Sequence, residues 1–176
     1  MPRHPFAKYP NHVLVETGTY MGDGVQAALE AGFSRVISFE VVPHLHKCSS
    51  QRFKGNKAVE LICGSSATKL FDTIRDIKEP ITFWLDGHYS TGLTGYDPEH
   101  ICPLLQELEQ IKKHGSHHTI LIDDRRLLRI DAVAAANDAF GVDEATIRAK
   151  LLEINPRYNI KYEDGYVPND IIAAYI

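Results

Sequence analysis

Short apolar runs alternate with stretches in which apolar residues recur every three or four positions, and this alternation continues through most of the chain. Val13 to Glu16 predicts a strand, Thr17 to Gly24 a glycine-rich turn, and Val25 to Glu30 a helix that Gly32 ends. Arg35 to Glu40 predicts the next strand and Pro43 to about Phe53 a helix, with Leu45, Cys48, Ser49 and Phe53 toward the sheet. The same order returns as a strand over Ala58 to Cys63, a turn at Gly64-Ser65-Ser66 and a helix through Ile74. Ile81 to Asp86 is a strongly apolar strand, followed by a polar loop from Gly87 to Glu99 and a helix from Pro103 to Lys113 with Leu104, Leu105, Leu108 and Ile111 on one side. Thr119 to Asp124 predicts the fifth strand. Continuous apolar strands separated by amphipathic helices indicate an α/β fold, a doubly wound and mostly parallel sheet covered on both faces.

The C-terminal third departs from that rhythm. Asp131 to Phe140 and Thr146 to Asn155 are helix-prone, whereas Tyr158 to Glu163 and Ile171 to Ile176 predict two strands around the turn residues Asp164-Gly165 and Pro168-Asn169-Asp170. They are expected to add an antiparallel edge to the sheet. The chain of 176 residues, 44% of them hydrophobic, supports one core, so residues 1–12 are expected to be an N-terminal extension and residues 13–176 a single domain. A formal net charge of −4 gives no global field for nucleic acid or an anionic membrane. Cys48, Cys63 and Cys102 are too widely spaced for a secreted disulfide framework or a close zinc cluster. With no apolar leader or membrane-length segment, a cytoplasmic location with no membrane partner is the expectation.

Five acids, Glu16, Glu40, Asp86, Asp123 and Asp124, stand where strands end. A helix cap or a solvated turn explains any one of them. Together they occupy the carboxyl edge of the sheet, where open α/β folds place their ligand crevice, and concentrate negative charge that calls for a cation or shifted proton affinities. The first turn carries Gly18, Gly22 and Gly24 at a spacing unlike the dinucleotide fingerprint, and it lacks the lysine of a triphosphate-binding loop. A cofactor with an amino-acid moiety fits better, its ammonium received by Glu16 or by backbone carbonyls. Glu40 is placed to accept ribose hydroxyls. Ser65 and Ser66 suit an adenine contact, and Ser66 suits a helix cap equally well.

Glu16-Thr17-Gly18-Thr19-Tyr20-Met21-Gly22 followed by Glu40 resembles the cofactor motifs of class I S-adenosylmethionine-dependent methyltransferases, the small-molecule O-methyltransferases above all. Asp86-Gly87-His88-Tyr89-Ser90 and Ile122-Asp123-Asp124 are similar to the metal-dependent macrocin and novobiocin-sugar enzymes. The resemblance implies a Rossmann-like methyltransferase sheet, with Glu16, Gly18, Thr19, Gly22, Glu40, Ser65, Ser66 and Asp86 around S-adenosylmethionine. It further implies magnesium held by Asp86, Asp123 and Asp124, whose hard oxygens suit that ion. In that group an acid commonly follows the first metal ligand by two residues. Here the position is His88, whose imidazole can take the proton of a metal-bound substrate hydroxyl as catalytic base. A hydrogen-bonded loop histidine is the plainer account of the same residue.

His114, His117 and His118 lie at the opposite end of the fifth strand, away from the expected crevice. Arg125 and Arg126 suit either an acidic substrate or salt bridges to the carboxylate rim. The segment Ser90 to His100 is the candidate lid, with completion of the pocket by a second subunit of a homo-oligomer as the alternative. The function expected is methyl transfer to a hydroxyl of a small molecule such as a sugar, with no nucleic-acid partner; Trp84, inside an apolar strand, is core and not a stacking platform. The competing readings are a noncatalytic protein of the same fold that binds S-adenosylmethionine or a nucleotide, and a dehydrogenase, which the glycine spacing disfavours.

Overall fold

The computed structural model of the protein describes residues 4–88, 102–115, 117–129 and 141–176. Its strands are β1 (Val13–Thr17), β2 (Arg35–Glu40), β3 (Val59–Cys63), β4 (Ile81–Leu85), β5 (Thr119–Ile122), β6 (Asn159–Glu163) and β7 (Ile171–Tyr175), joined in one sheet in the order β3-β2-β1-β4-β5-β7-β6. β1 to β5 pair in parallel, and β7 runs antiparallel to both of its neighbours. The antiparallel C-terminal edge is therefore present, with the last strand inserted inside the hairpin and not outermost. Burial explains the order. Ile171, Ile172, Ala173 and Ala174 are fully buried and suit an interior strand, whereas β6 carries the exposed Asn159, Lys161 and Tyr162 that suit an edge.

The helices are α1 (Asp23–Glu30), α2 (Pro43–Arg52), α3 (Ser66–Ile74), α4 (Leu104–His114) and α5 (Glu144–Ile154). α5 begins two residues earlier than Thr146, because the Asp143 carboxylate accepts the Thr146 N–H at 2.8 Å and caps the helix. The period-two pattern of β1 sorts the core. Val13 and Val15 pack with Leu70, Ile74, Leu108, Ile111, Ile147 and Leu151 of α3, α4 and α5. Leu14 points the other way, to Val25 and Ala28 of α1 and to Trp84, which is 1% exposed as its place in a strand demanded. The N-terminal segment covers that second face: Phe6 meets Trp84 edge to face at 5.3 Å, and Thr82 Oγ1 donates to the Tyr9 carbonyl at 2.9 Å.

Chain order reverses at β1, which has β2 on one side and β4 on the other. Beyond the carboxyl ends of such a pair lies the crevice of an open α/β sheet. The register sets Thr17 opposite Leu85, so Gly18 and Asp86 come next to each other at its floor. The helix expected over Asp131 to Phe140 and the lid expected over Ser90 to His100 lie outside the described residues. No described helix is long and apolar enough to cross a membrane.

Candidate functional site

The turn after β1 is built for close backbone approach. Gly18 has φ +86°, and a Cβ there would stand 2.3 Å from the Asp86 carbonyl oxygen. The N–H groups of Gly18 and Thr19 both donate to the Phe39 carbonyl at 3.0 Å, and the Asp86 N–H donates to the Thr17 carbonyl at 3.2 Å. The turn is thereby fastened to the ends of β2 and β4 at once. Glu40 completes the fastening: it accepts the Tyr20 N–H at 2.7 Å and the Val42 N–H at 2.8 Å. Burial raises the Glu40 pKa, opposed by these backbone donors. The carboxylate oxygens retain acceptor capacity beyond these backbone donors. Gly22, also left-handed, starts α1 where a Cβ would meet the Phe53 ring at 2.5 Å.

Glu16 occupies a different position from the one expected of an ammonium acceptor. It is 2% exposed and turned to the α1 face, where a Cβ at Gly24 would lie 1.8 Å from its Oε1. Ser38 Oγ donates to Glu16 Oε2 at 2.5 Å, and Thr19 Oγ1 is 2.6 Å from Ser38 Oγ. Burial, with the nearby Glu40 and Asp23 charges, pushes the Glu16 carboxyl up to about 8 against the Ser38 hydrogen bond. Glu16 thus braces the turn from behind through Ser38 and Thr19.

The acids after β4 and β5 gather with three further side chains. His88, 9% exposed, has Nε2 at 2.8 Å from Asp124 Oδ2 and Nδ1 at 3.5 Å from Asp86 Oδ1. Asp124 is itself left-handed, with φ +55°, and opens a 3₁₀ turn over Arg125–Leu127. That turn brings the Arg126 guanidinium between Asp124 and Asp170, so Arg126 bridges the rim, one of the two roles its sequence position allowed. Arg125 goes elsewhere, donating to Glu144 at 2.8 Å. Among the described residues, possible donor atoms therefore form two groups, Asp86–His88–Asp124 and Asp123–Asp124–Asp170, each with its atoms within 4.8 Å of one another. The expected trio Asp86, Asp123 and Asp124 is divided between them, with Asp124 common to both. Asp86 is raised well above the ordinary carboxylate range by burial and by the charges of Asp123 and Asp124. Asp123 is pushed up to about 7 by burial and the Asp124 charge. Burial acts the same way on Asp124, but the hydrogen bond and charge of His88, and then the Arg126 charge, outweigh it and hold that carboxyl low.

Two residues of this region were not among the sequence candidates and one has a role other than expected. Glu107 is 1% exposed and pushed up to about 7 by burial, against hydrogen bonds from Ser66 and Thr17. Its signal was positional: with Leu104, Leu108 and Ile111 it completes the apolar stripe of α4, where an acid demands a partner. Asp170, 1% exposed, was read only as a turn residue. Ser66 donates to Glu107 at 2.5 Å, while Ser65 is the N-cap of α3 and makes no side-chain cap bond. The cap expected of Ser66 is thus replaced by a buried bond beneath the crevice.

A second cavity among the described residues is at the other end of the sheet. It measures about 350 Å³ and is lined by Arg75, Lys78, Glu79, His114, His117 and His118, whereas the space beside Gly87, His88 and Glu107 is about 10 Å³. The chemistry follows the acids and not the volume. His118 Nδ1 accepts the Ile81 N–H at 3.2 Å, which leaves its proton on Nε2, and Nε2 donates to His114 Nδ1 at 2.9 Å. Burial lowers the His118 pKa to about 4. Both ring nitrogens of His118 are therefore engaged, one by the backbone of β4 and one by His114.

No protein-family model and no curated protein matches the chain. Solved structures do. Human N-acetylserotonin methyltransferase, in complex with S-adenosylmethionine, is 12% identical with a TM-score of 0.59, covering 98% of this chain and 49% of its own. An rRNA methylase from Streptococcus thermophilus is 15% identical with a TM-score of 0.55, covering 97% and 90%. A methyltransferase dependent on S-adenosylmethionine from Aquifex aeolicus is 15% identical with a TM-score of 0.55, covering 97% and 84%. The chain has the class I methyltransferase fold. In that fold, the contact of Gly18 with Asp86 and the Glu40 carboxylate face the crevice at the switch point. The metal ligand chemistry also fits: carboxylates and an imidazole are hard to borderline donors, and Asp123 Oδ1 is buried with no hydrogen-bond partner among the described residues.

Proposed function

We propose that the protein transfers a methyl group from S-adenosylmethionine to a hydroxyl of a small molecule, with a divalent ion at the acidic rim. The observation that carries this reading is the switch-point crevice in which Gly18, Glu40, His88 and the rim acids converge. When bound, S-adenosylmethionine supplies an electrophilic methyl carbon, and the ion lowers the pKa of a coordinated hydroxyl. Glu40 accepts ribose hydroxyls with the lone pairs its backbone donors leave. Gly18 and Gly22 admit the methionine portion against the backbone, and Thr19 is fixed for that contact by Ser38. Ser65 and Ser66 border the adenine side at the end of β3, with Glu107 holding the Ser66 hydroxyl. The ion would be held by Asp124, common to both donor groups, with Asp86 and Asp123 drawing in from either side.

His88 is the base. The bond between Nε2 and Asp124 fixes the ring and sets Nδ1 on the Asp86 side. His88 would take the proton of the acceptor hydroxyl there, while bound S-adenosylmethionine would supply the methyl carbon, its carbon–sulfur bond breaking as the carbon–oxygen bond forms and S-adenosylhomocysteine leaving. The ionic bridge of Arg126 to Asp124 supports the noncatalytic reading, because it supplies positive charge to the rim without a metal.

Radiolabelled methyl transfer tests the reading, using hydroxylated small molecules, sugars among them, with and without Mg²⁺ and with RNA as the comparison. His88→Ala is expected to lower the initial rate by roughly 10²- to 10⁴-fold while S-adenosylmethionine affinity stays within about twofold. Label confined to RNA would remove the small-molecule acceptor. An unchanged rate in the variant would remove His88 as base.

A further inference from the structure

The group Asp123–Asp124–Asp170 has features that one guanidinium does not resolve. Arg126 reaches Asp124 and both oxygens of Asp170, through its side chain to Oδ2 and its backbone N–H to Oδ1 at 3.2 Å. It makes no bond to Asp123 Oδ1, which is buried and unpartnered in a residue only 7% exposed. The β6–β7 hairpin closes over that atom, since a Cβ at Gly165 would lie 3.3 Å from it. Leaving a carboxylate oxygen without a donor in such a place is unfavourable, so the fold holds open a position that an ion would complete. The donor atoms of the three acids lie within 4.8 Å of one another, about twice the ~2.4 Å bond of a hard divalent cation to oxygen. Arg126 also has somewhere to go. Its side chain is 36% exposed and its guanidinium carbon lies 5.2 Å from the ring of Tyr166, an exposed residue.

We propose that Asp170 is a ligand of a divalent-cation site with Asp123 and Asp124, and that Arg126 is the site's built-in competitor, displaced toward Tyr166 when the ion enters. The inference rests on the metal reading above, with which it shares Asp123 and Asp124, and adds a ligand and a regulator to it. An arginine tethered in the site keeps the acids neutralised until the divalent concentration is high enough to displace it. Metal affinity is then set by Arg126 as much as by the carboxylates. Ion entry also ties the β6–β7 hairpin, through Asp170, to the end of β5.

Binding of Mn²⁺, followed by the paramagnetic resonance of the free ion, separates the possibilities. Arg126→Gln is expected to tighten Mn²⁺ binding at least about tenfold, Asp170→Asn to weaken it at least about tenfold, and the double variant to lose the gain of the first. An Arg126→Gln variant no tighter than wild type would overturn the competition. Asp170→Asn equal to wild type would overturn the added ligand while leaving the metal reading intact. No Mn²⁺ binding by wild type or by Arg126→Gln would overturn the site altogether. Thermal melting verifies that Asp170→Asn folds; if it does not, the surface variant Arg126→Gln decides. Titration of the wild type with S-adenosylmethionine in parallel keeps failure of the cofactor reading distinct from failure of the ion site.

Discussion

Gly18→Ala is expected to abolish measurable binding of S-adenosylmethionine and to destabilise the fold by about 2–4 kcal/mol. Two causes act at this position. The backbone is left-handed, with φ +86°, which costs a residue with a Cβ about 1–2 kcal/mol. The added carbon would also stand 2.3 Å from the Asp86 carbonyl oxygen, an atom of the backbone at the end of β4 that no side-chain rotation can clear. Relief requires β1 and β4 to part at their carboxyl ends, where the crevice begins. Urea unfolding followed by circular dichroism checks the first effect and calorimetric titration the second. Gly32→Ala supplies the comparison, since it has the same sign of φ and nothing within 4 Å of its Cβ. It should lose stability from strain alone. Equal stability losses in the two variants would contradict the steric account of Gly18.

Stability is expected to fall as the pH rises from about 5 to 9, and Glu16→Gln should remove much of that fall. The folded pKa of Glu16, about 8, lies above its unfolded value of 4.5. The folded state therefore holds a proton that the unfolded state releases first, so the Glu16 contribution is fully present below the unfolded value and is lost as the pH passes through 8. Glu107, raised to about 7, has the same sign. His118, lowered to about 4, acts in the other direction and takes stability away as the pH falls below its ordinary value. The stability maximum consequently lies on the mildly acidic side of neutrality. For Glu16→Gln, a neutral isostere, stability relative to wild type should improve between pH 6 and pH 9 by on the order of 2–4 kcal/mol. Urea midpoints at the two pH values measure it; a variant offset that is the same at both would show that Glu16 is ionised in the fold.

The sheet was legible because parallel strands buried on both faces leave continuous apolar runs, as in Ile81 to Leu85, and the helices between them keep a single apolar stripe. The position of β7 inside the hairpin was harder to read. Sequence order suggests an outermost last strand, and only the full burial of Ile171 to Ala174 against the exposed face of β6 reverses it. In the site, the acids at strand ends announced themselves by recurrence, and Gly18 by the turn it occupies. What the pattern did not convey is which way an acid turns. Glu40 is the last residue of β2, whereas β1 runs one residue past Glu16 to Thr17; Glu16 goes under α1 to Ser38 while Glu40 takes the N–H groups of Tyr20 and Val42. Asp170 and Arg126 meet across forty-four positions of sequence, a contact that only the pairing of β5 with β7 creates. Glu107 had a readable signal, an acid in an apolar stripe, whose partner Ser66 sits on another helix.

The central claim, that the crevice at the β1–β4 switch point receives S-adenosylmethionine, is tested most directly by calorimetric titration of the protein with that cofactor, with and without Mg²⁺, alongside Glu40→Ala. Saturable binding by the wild type, weakened about ten- to a hundredfold in the variant by loss of the ribose acceptor, is the predicted result. Absence of binding by the wild type in both conditions, or equal affinity in Glu40→Ala, would contradict it.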